Sequence, residues 1–600
     1  MSDPVFHGTT GKTFRSVNVT KVNVTKVICI LAYLFTIIAL FIILFSPARG
    51  YELSIYTSSP LAMWFFLISS TAGSILIIIW LSSSGRFNTV YLLSSFLLLL
   101  NNFIILSLPA LRGYFQYAAG DPISHLSEIQ SIVSNGYMGE HNIYPLLHII
   151  YVALSELSGQ SANILSRYTP PLFSLIFLML FMVLLAKVSL PKSVPISLVL
   201  PATTVLYFNS LHFLVYPHVF SILLLPMAFY IFFKCSHSNA WQWTLLSVLL
   251  LIAVPFTHPT GGTIVIVTLC ISAIALKVLR DRMHLSNNRK SFLKQLLIPL
   301  VVLFTWHSNF GIFNNKVAGF FSTFFQVSND PHITYFVQIA DRLTFMENLT
   351  FVLRMYGDTL IFCVLSIAST IFIFKSIMRK DKDYANLLVL VIFFYYGFLI
   401  QGIIFSAVGS VTVGRMLNLP CSMVVTPILV GFGLYALFQG LSKERASFLI
   451  SSILIVVFVV SLLSVFHSPW TFSPSWHITN MDNSGSSWIA DYRDATLNFE
   501  AMGLDSSLLG GSTEVIPQGF SYDSPLGNAI NDDNYLLINK RCIMANTNLM
   551  VAKAKLNVKH GWGFGLTEYT KIDSDYSINR IYSNGEFDSY LVSDLIERRR

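Results

Sequence analysis

Charged residues are scarce in this 600-residue chain: Asp, Glu, Lys and Arg occupy only 11% of its positions, whereas 54% are hydrophobic. Ordinary globular domains carry about 25% charged residues. The shortage excludes a cytosolic multidomain enzyme and a disordered scaffold, and it indicates that most of the chain has lipid as its solvent. Six cysteines in the whole sequence are too few for a secreted disulfide-rich module.

Several motifs of nucleotide-dependent and hydrolytic enzymes are missing as well. The sequence has no Walker A loop, no G-x-G-x-x-G after a strand, no H-E-x-x-H and no G-x-S-x-G elbow. It also has no C-x-x-C motif and no Cys/His cluster, so a structural zinc site is not expected. The chain therefore carries no recognisable means of using ATP or a soluble nucleotide.

Apolar runs long enough to cross a bilayer recur between residues 27 and 467 and predict about thirteen transmembrane helices. The runs lie at 27–46, 61–82, 89–109, 170–187, 194–210, 213–233, 241–256, 261–279, 293–309, 357–375, 384–408, 411–438 and 447–467. The predicted fold class is an α-helical polytopic membrane protein, with a transmembrane domain at 27–467 behind an N-terminal tail at 1–26.

Positive charge is distributed unequally between alternate loops. With the N-terminus inside, the tail and the inner loops hold 20 Lys and Arg residues, and the outer side holds 7. Because Lys and Arg are enriched on the cytoplasmic side, we predict a multi-pass cell-membrane protein with a cytoplasmic N-terminus and an extracytoplasmic C-terminal region. The net charge of +8 belongs to this topology, so no nucleic-acid partner is expected.

The C-terminal region, 468–600, is polar and acidic, with 16 Asp and Glu against 11 Lys and Arg. Its segment 486–503 predicts a short amphipathic helix. Near the end, NRIYSNGEFDSYLV (579–592) places two β-rich runs around Ser-Asn-Gly, which is a strong hairpin signal. We predict a small extracytoplasmic α/β domain that acts as a lid or binds an acceptor.

The first long outer loop, 110–169, holds the most chemically suggestive residues. Gly120-Asp121-Pro122 predicts the start of a helix with Asp121 as its N-cap. Asp121, His125 and Glu128 are spaced i, i+4 and i+7, so they share one helix face. A second short helix should begin after Asn142. The loop is a candidate catalytic site, and a capped, solvated helix face is the alternative.

Further candidates lie at the outer ends of later helices. Arg415 falls within an apolar run, where an arginine is costly and its guanidinium suits bidentate phosphate binding. His258 in PFTHPTGG and His307 in TWHSN can each bind a phosphate or a sugar hydroxyl. Snorkelling is the alternative for the arginine, and a hydrogen-bonded interfacial role is the alternative for each histidine. A second large outer loop, 310–356, has an aromatic face that suits lipid tails.

Taken together, these motifs resemble the GT-C superfamily of integral-membrane glycosyltransferases. The resemblance rests on three features of the sequence: a motif in the first loop, a stretch near the end of the transmembrane domain, and the C-terminal hairpin. The loop motif consists of Asp121-Pro122, His125-Leu126, Gly136 and Tyr144-Pro145, and the later stretch runs from Arg415 to Pro420. Unlike the usual family pattern, Asp121 follows the third predicted helix instead of the first. The adjacent acid pair that many members carry is also missing.

The resemblance implies an outer-face hexosyl- or pentosyltransferase that uses a polyprenyl-phosphate-linked sugar donor. The acceptor would be a lipid, a glycan or a protein, and membrane lipids would be further partners. Asp121 is then the expected base, tuned by His125 or Glu128, and Glu140 is the second acid. His125, His258, His307 and Arg415 are the expected substrate-binding residues. A divalent cation, Mg²⁺ or Mn²⁺, is a candidate cofactor, with Asp121 and Glu140 as ligands.

Two other functions stay open at this point. An oligosaccharide ligase or polymerase would use the same outer-face geometry with a lipid-linked chain as donor. A transporter or lipid flippase would instead need ionisable groups near the bilayer midplane and internal repeats. The sequence places almost no ionisable residue at that depth, and its polar residues concentrate in the outer loops.

Overall fold

The computed structural model describes most of the chain in a series of segments. These are residues 19–140, 142–238, 240–283, 297–311, 344–378, 384–408, 423–469, 475–494, 496–502, 514–515, 534–541 and 577–592, with a few isolated positions besides. The N-terminal tail 1–18 and most of the predicted outer loop 310–356 lie outside the described residues.

Helices dominate the described segments. In the first part of the chain they are α1 (Val19–Phe45), α2 (Ile55–Ser58), α3 (Leu61–Ser83), α4 (Thr89–Leu106), α5 (Leu108–Leu111), α6 (Asp121–Asn135), α7 (Pro145–Ser158), α8 (Ala162–Phe173), α9 (Phe181–Ser189), α10 (Val199–Thr203), α11 (Pro217–Leu223) and α12 (Leu225–His237). In the second part they are α13 (Trp241–Ala253), α14 (Pro259–Met283), α15 (Leu297–His307), α16 (Phe345–Met378), α17 (Ala385–Val408), α18 (Thr426–Phe438), α19 (Lys443–Leu462) and α20 (Asn480–Tyr492).

Seven helical stretches of the described residues are long and apolar enough to cross a membrane. They are Val24–Phe45, Leu61–Ser83, Thr89–Leu106, Ala162–Ser189, Pro217–Ser236, Phe345–Met378 and Lys443–Leu462. The same residues contain shorter apolar helices at Pro145–Ser158, Trp241–Phe256, Gly261–Ala275, Leu297–His307, Ala385–Leu399 and Thr426–Phe438. The chain is a multi-pass membrane protein, but the predicted number of thirteen spanning helices is not confirmed.

Large apolar side chains face outward on these helices, and small polar ones face inward. Ile30 and Ile371 are each 67% exposed and Val364 is 64% exposed, whereas Ser70 and Asn101 are fully buried. Lipid is as apolar as leucine, so close packing and interhelical hydrogen bonds hold such helices together. Oγ1 of Thr36 in α1 lies 2.8 Å from both Oγ of Ser70 in α3 and Oδ1 of Asn101 in α4.

The run 194–210, predicted as one spanning helix, is instead broken into short pieces. A 3₁₀ turn at Ile196–Leu198 leads into the five-residue α10, and a second 3₁₀ turn follows at Asn209–His212. Proline at 195 and 201 restricts the backbone, and Asn209 adopts a left-handed conformation with φ of 52°. Irregular backbone at membrane depth is tolerated where protein buries it, and this stretch is almost entirely buried.

Two further boundaries differ from the prediction. The span predicted at 170–187 is part of one long helical stretch: Pro170 and Pro171 lie inside the last turn of α8, and a π-helical segment, Ser174–Leu180, joins α8 to α9. Proline lacks the N–H that an α-helix needs, which accounts for the irregular turn. Helix α16 begins at Phe345, inside the predicted loop 310–356, because Thr344 and Glu347 cap its start through side-chain hydrogen bonds.

Among its described residues, the C-terminal region contains α20 and a mixed five-stranded sheet in the order β2-β1-β3-β5-β4. The strands are β1 (Phe499–Met502), β2 (Glu514–Val515), β3 (Tyr535–Asn539), β4 (Ile578–Ser583) and β5 (Phe587–Val592). The predicted hairpin is confirmed, since β4 and β5 pair antiparallel across a turn in which Gly585 has φ of 99°.

The helix predicted at 486–503 is wrong at both ends. Thr479 and Asp482 form a capping box that starts α20 earlier, and the stretch around Phe499 pairs in parallel with β3. Cross-strand pairing therefore overrides the amphipathic pattern there. Gly485 of α20 lies against the Phe587 ring, where a Cβ atom would meet the ring at 2.4 Å, so glycine permits the close approach of helix and sheet.

This C-terminal region packs on the segments that follow α1 and α5. The backbone N–H of Ile478 donates to the carbonyl of Gln116 at 2.7 Å, and the imidazole of His477 stacks between the rings of Tyr51 and Tyr114. Since α1 crosses the helical layer once, residues 475–482 lie at the end opposite to residue 19. Asp121 begins α6 five residues after Gln116, so the candidate site lies at the same end.

Candidate active site

Helix α6 presents Asp121 and His125 one turn apart. Gly120, with φ of 82°, is the N-cap, and Asp121 is the first helical residue, so the helix begins one residue earlier than predicted. Only glycine adopts that backbone angle without strain, so the cap passes to Gly120 and the Asp121 carboxylate is left exposed. Gly136 ends α6 in the left-handed conformation, with φ of 75°.

A chain of hydrogen bonds leads from His125 into the protein. Nδ1 of His125 lies 3.1 Å from Nε2 of His148 on α7, and Nδ1 of His148 lies 3.0 Å from Oδ1 of Asn142. His148 and Asn142 are buried, whereas His125 is partly exposed. The fold thus connects the predicted catalytic face of α6 to the first turn of α7.

Tyr144, which precedes α7, joins α6 to α14. Its ring lies edge-on to His125 with centroids 5.5 Å apart, and it stacks on His258 at 5.0 Å with an interplanar angle of 8°. His218, in the first turn of α11, approaches His258 with a centroid distance of 5.7 Å. Two of the predicted binding residues, His125 and His258, therefore both contact one tyrosine, the first edge-on and the second by stacking.

The start of α14 fixes the orientation of His258. Nδ1 of His258 accepts a hydrogen bond from the backbone N–H of Gly261 at 3.3 Å. A Cβ atom at Gly261 would lie 1.8 Å from Oγ of Ser221 on α11, so glycine allows the two helices to touch. The neutral His258 ring must then carry its proton on Nε2. The N-terminus of a helix also has a positive partial charge, which favours an anion beside it.

His307, at the end of α15, lies near enough to His258 to act on it electrostatically. Its Nε2 lies 2.9 Å from the carbonyl oxygen of Pro255, so Nε2 carries a proton and donates. The side chain is fully buried. This contact is the one expected of a hydrogen-bonded interfacial histidine, the alternative that the sequence left open.

Burial keeps the histidines of the cluster uncharged. It lowers the pKa of His125 to about 3, with the neighbouring His148 and His218 as lesser causes. Burial likewise lowers the pKa of His148 to about 4, and that of His258 well below its ordinary range. Burial, and secondarily the negative charge of Asp121, raises the pKa of Tyr144. The Asp121 carboxylate therefore lies near enough to Tyr144 to act on it electrostatically.

These depressed values predict that acid destabilises the protein. The unfolded chain binds protons on His125 and His148 near the ordinary pKa of 6.5, whereas the folded chain resists them down to about 3 and 4. The free energy of unfolding should therefore fall as the pH drops below about 6.5. Thermal unfolding in detergent at pH 7.5, 5.5 and 4.5 measures this. The double variant H125Q/H148Q should show a shallower decline, and an identical decline would contradict the assignment.

The remaining predicted site residues do not join this group. Glu128 and Glu140 are exposed, and Glu140 lies in the turn between α6 and α7. Within the part of the chain that the structure describes, no group of three or more His, Cys, Asp or Glu residues is arranged to hold a metal ion. The candidate divalent-cation site at Asp121 and Glu140 thus gains no support. Arg415 lies outside the described residues.

Comparison with known proteins gives distant structural similarities. No protein-family model and no curated protein sequence matches the chain. ArnT from Cupriavidus metallidurans bound to undecaprenyl phosphate is similar at 10% identity and a TM-score of 0.43, over 85% of this chain and 99% of that one. The Archaeoglobus fulgidus oligosaccharyltransferase in complex with zinc and sulfate is similar at 11% identity and a TM-score of 0.44, over 82% of this chain and 73% of that one.

ArnT in the apo state is similar at 11% identity and a TM-score of 0.40, over 84% of this chain and 98% of that one. ArnT and the oligosaccharyltransferase are both GT-C superfamily membrane glycosyltransferases, and this is the superfamily that the sequence motifs resemble. Because TM-scores below 0.5 do not establish a shared fold, the chemistry assigned to this chain rests on its own residues.

Sequence reasoning missed the partners that complete the cluster. His218 had one available signal, since Tyr216-Pro217-His218 falls near an outer helix end in the predicted topology. No sequence signal pointed to Asn142, because its contact with His148 depends on how the turn before α7 folds.

A buried carboxylate in α16 was also not predicted. Asp358 is 1% exposed, and its Oδ1 accepts from the backbone N–H of Thr359 at 2.6 Å.

Proposed function

We propose that this chain is a glycosyltransferase that moves a hexosyl or pentosyl group from a polyprenyl-phosphate-linked donor to an acceptor hydroxyl. The observation that carries the proposal is the convergence of Asp121, His125, Tyr144 and His258 at one end of the helical layer. Asp121 and His125 belong to α6, whereas Tyr144 and His258 immediately precede α7 and α14. The cluster combines groups that can accept a proton with groups that can bind an anion.

Transfer from a phosphate-linked sugar makes two demands on a site. The acceptor hydroxyl must lose a proton as it attacks an oxocarbenium-like carbon, and the departing phosphate must find compensating positive charge. Asp121 and His125, one turn apart on α6, are the groups that can take the proton. The N–H at Nε2 of His258 and the N-terminus of α14 suit the phosphate. Arg415 remains the candidate for a second phosphate contact on its sequence alone.

The reaction is assigned to the extracytoplasmic face. The cluster lies at the end of the helical layer that carries residues 475–482, and this end is opposite to residue 19. The 20:7 distribution of Lys and Arg favours a cytoplasmic N-terminus. An acceptor at this face is a lipid, a glycan or a protein, and the C-terminal α/β region beside the site is suited to binding it.

The deciding experiment is transfer by the purified protein in detergent. Wild-type protein supplied with hexosyl and pentosyl polyprenyl phosphates should release free polyprenyl phosphate and label an acceptor. Lipid-linked oligosaccharide as a second donor distinguishes a ligase. If donor instead crosses the bilayer of proteoliposomes without release of polyprenyl phosphate, the protein is a flippase and the proposal is wrong.

Substitution of His258 tests the phosphate side. His258→Leu removes a hydrogen-bond donor to a charged phosphate oxygen. The kcat/KM for the polyprenyl-phosphate sugar should therefore fall about 10- to 100-fold, as expected for one hydrogen bond to a charged group. His258→Asn keeps an N–H donor and should lose less. Donor kinetics and binding of a non-transferable polyprenyl-phosphate analogue measure the effect. Unchanged analogue binding by the Leu variant would remove His258 from the phosphate site.

A further inference from the structure

The hydrogen-bond chain behind His125 determines where each proton lies. The backbone N–H of Tyr144 donates to Oδ1 of Asn142 at 3.1 Å, which fixes the oxygen end of that amide. The same oxygen faces Nδ1 of His148 at 3.0 Å. Since an amide oxygen can only accept, Nδ1 of His148 must carry a proton and donate it.

The second step of the chain follows from the first. A neutral His148 protonated on Nδ1 has a lone pair on Nε2, and Nδ1 of His125 lies 3.1 Å from that atom. Nδ1 of His125 therefore donates, and the neutral His125 ring keeps its own lone pair on Nε2. Both rings are neutral at physiological pH, because burial lowers their pKa values to about 3 and about 4.

The surroundings of His125 place this lone pair in the candidate site. Asp121 lies one turn before it on the same face of α6, with the exposed Glu128 on the other side. Tyr144 lies edge-on to the ring, and His218 and His148 act on it electrostatically. His125 is partly exposed, whereas the two residues behind it are buried. Nε2 of His125, at the outer end of this hydrogen-bond chain, is thus a proton acceptor.

We propose that His125, oriented by His148 and Asn142, is the base that takes the proton of the acceptor hydroxyl. The inference rests on the proposed function and names its base. In the step, the acceptor oxygen forms a bond to the anomeric carbon as that carbon's bond to the phosphate oxygen breaks. The hydroxyl proton passes to Nε2 of His125, and the electron pair of the broken bond leaves on the polyprenyl phosphate.

Asp121 then has a distinct part in the same step. Proton transfer makes His125 an imidazolium while positive charge develops on the sugar ring. A carboxylate one helical turn away stabilises both charges without accepting a proton itself. His148 and Asn142 touch neither substrate. They are positioning residues, which hold the His125 ring in the tautomer that leaves Nε2 free to accept.

The test is the pH dependence of transfer in variants of the chain. Asn142→Asp places a carboxylate behind His148, which stabilises positive charge on the pair of rings and raises their pKa values. The acidic limb of kcat/KM should move to higher pH by about one unit. Asn135→Asp adds the same charge at the exposed end of α6 and should leave the limb in place. Thermal unfolding and gel filtration check that each variant is folded.

Two further substitutions separate positioning from chemistry. His125→Gln should lower transfer about 10²- to 10⁴-fold at every pH, as loss of a general base does. His148→Gln can still donate to Asn142 and accept from His125, so it should keep far more activity than His148→Leu. The difference in activity between His148→Gln and His148→Leu tests the positioning role even if Asn142→Asp does not fold.

The possible failures can be told apart. If the wild-type protein transfers no sugar, the proposed function fails and this assignment fails with it. If the wild-type protein transfers sugar but His125→Gln does so equally well, only the assignment of the base is overturned. An acidic limb that stays fixed in folded Asn142→Asp, together with equal rates for His148→Gln and His148→Leu, overturns the positioning role.

Discussion

Asp121→Asn should lower sugar transfer about 10²- to 10³-fold, the range associated with removal of one group that stabilises charge in the transition state. The carboxylate acts electrostatically on Tyr144 and belongs to the residue one helical turn before His125, where the proposed transfer would develop positive charge. Asparagine keeps the size of the side chain and removes its negative charge. Because Gly120 caps α6, the substitution removes no cap, and the helix should lose only the favourable interaction of a charge with its dipole.

The measurement is donor turnover per folded protein, with Glu156→Gln as the matched control. Glu156 is an exposed acid near the end of α7 in the same outer loop, so its loss changes the net charge equally. The control should retain wild-type turnover. Equal loss in both variants would point to a general electrostatic effect on donor binding, and full activity of Asp121→Asn would remove Asp121 from the site.

The features that could be predicted from sequence are those set by local pattern. The C-terminal hairpin follows from β-rich runs around Ser-Asn-Gly, and the i, i+4 spacing of Asp121 and His125 places both on one face of α6. Apolar runs predicted most of the membrane helices because hydropathy is a property of composition. Each of these features can be predicted without knowing which distant segments are in contact.

The features that could not be predicted depend on such contacts. Whether His258 lies near His125 is decided by the packing of α14 on α11, which the absence of a side chain at Gly261 permits. The broken backbone around α10 depends on burial by neighbouring helices, and Ser461 of α19 accepts the backbone N–H of Leu206 at 3.2 Å. A hydropathy window treats 194–210 as one helix because it counts apolar residues and ignores such partners.

The second large effect is expected at a buried ion pair beneath the C-terminal region. Arg112, which is 1% exposed, donates from Nη2 to Oε1 of Glu52, and from Nη1 to the carbonyl of Ser46 at 2.9 Å. Oε2 of Glu52 accepts from the hydroxyl of Tyr114. The backbone N–H of Glu52 also lies 3.4 Å from Nε2 of His477. The Glu52 carboxylate therefore connects the segments after α1 and α5, and its backbone N–H contacts the C-terminal region.

Glu52→Leu should destabilise the protein by about 3–5 kcal/mol, because it leaves a buried guanidinium without its counter-charge. Thermal unfolding in detergent and the yield of monodisperse protein measure the loss. The matched control is Glu586→Gln, since Glu586 accepts from the backbone N–H of Tyr51 at the same interface but forms no ion pair with Arg112. Its substitution should cost much less.

The double variant E52L/R112M decides whether charge is the cause. Replacing both members of a buried pair by apolar residues is often neutral or stabilising, since neither ion then has to be desolvated. The double variant should therefore recover much of the stability that Glu52→Leu loses, although the Ser46 carbonyl and the Tyr114 hydroxyl each lose a partner. Equal instability of the single and double variants would mean that packing holds this interface together, and that the buried charges contribute little to it.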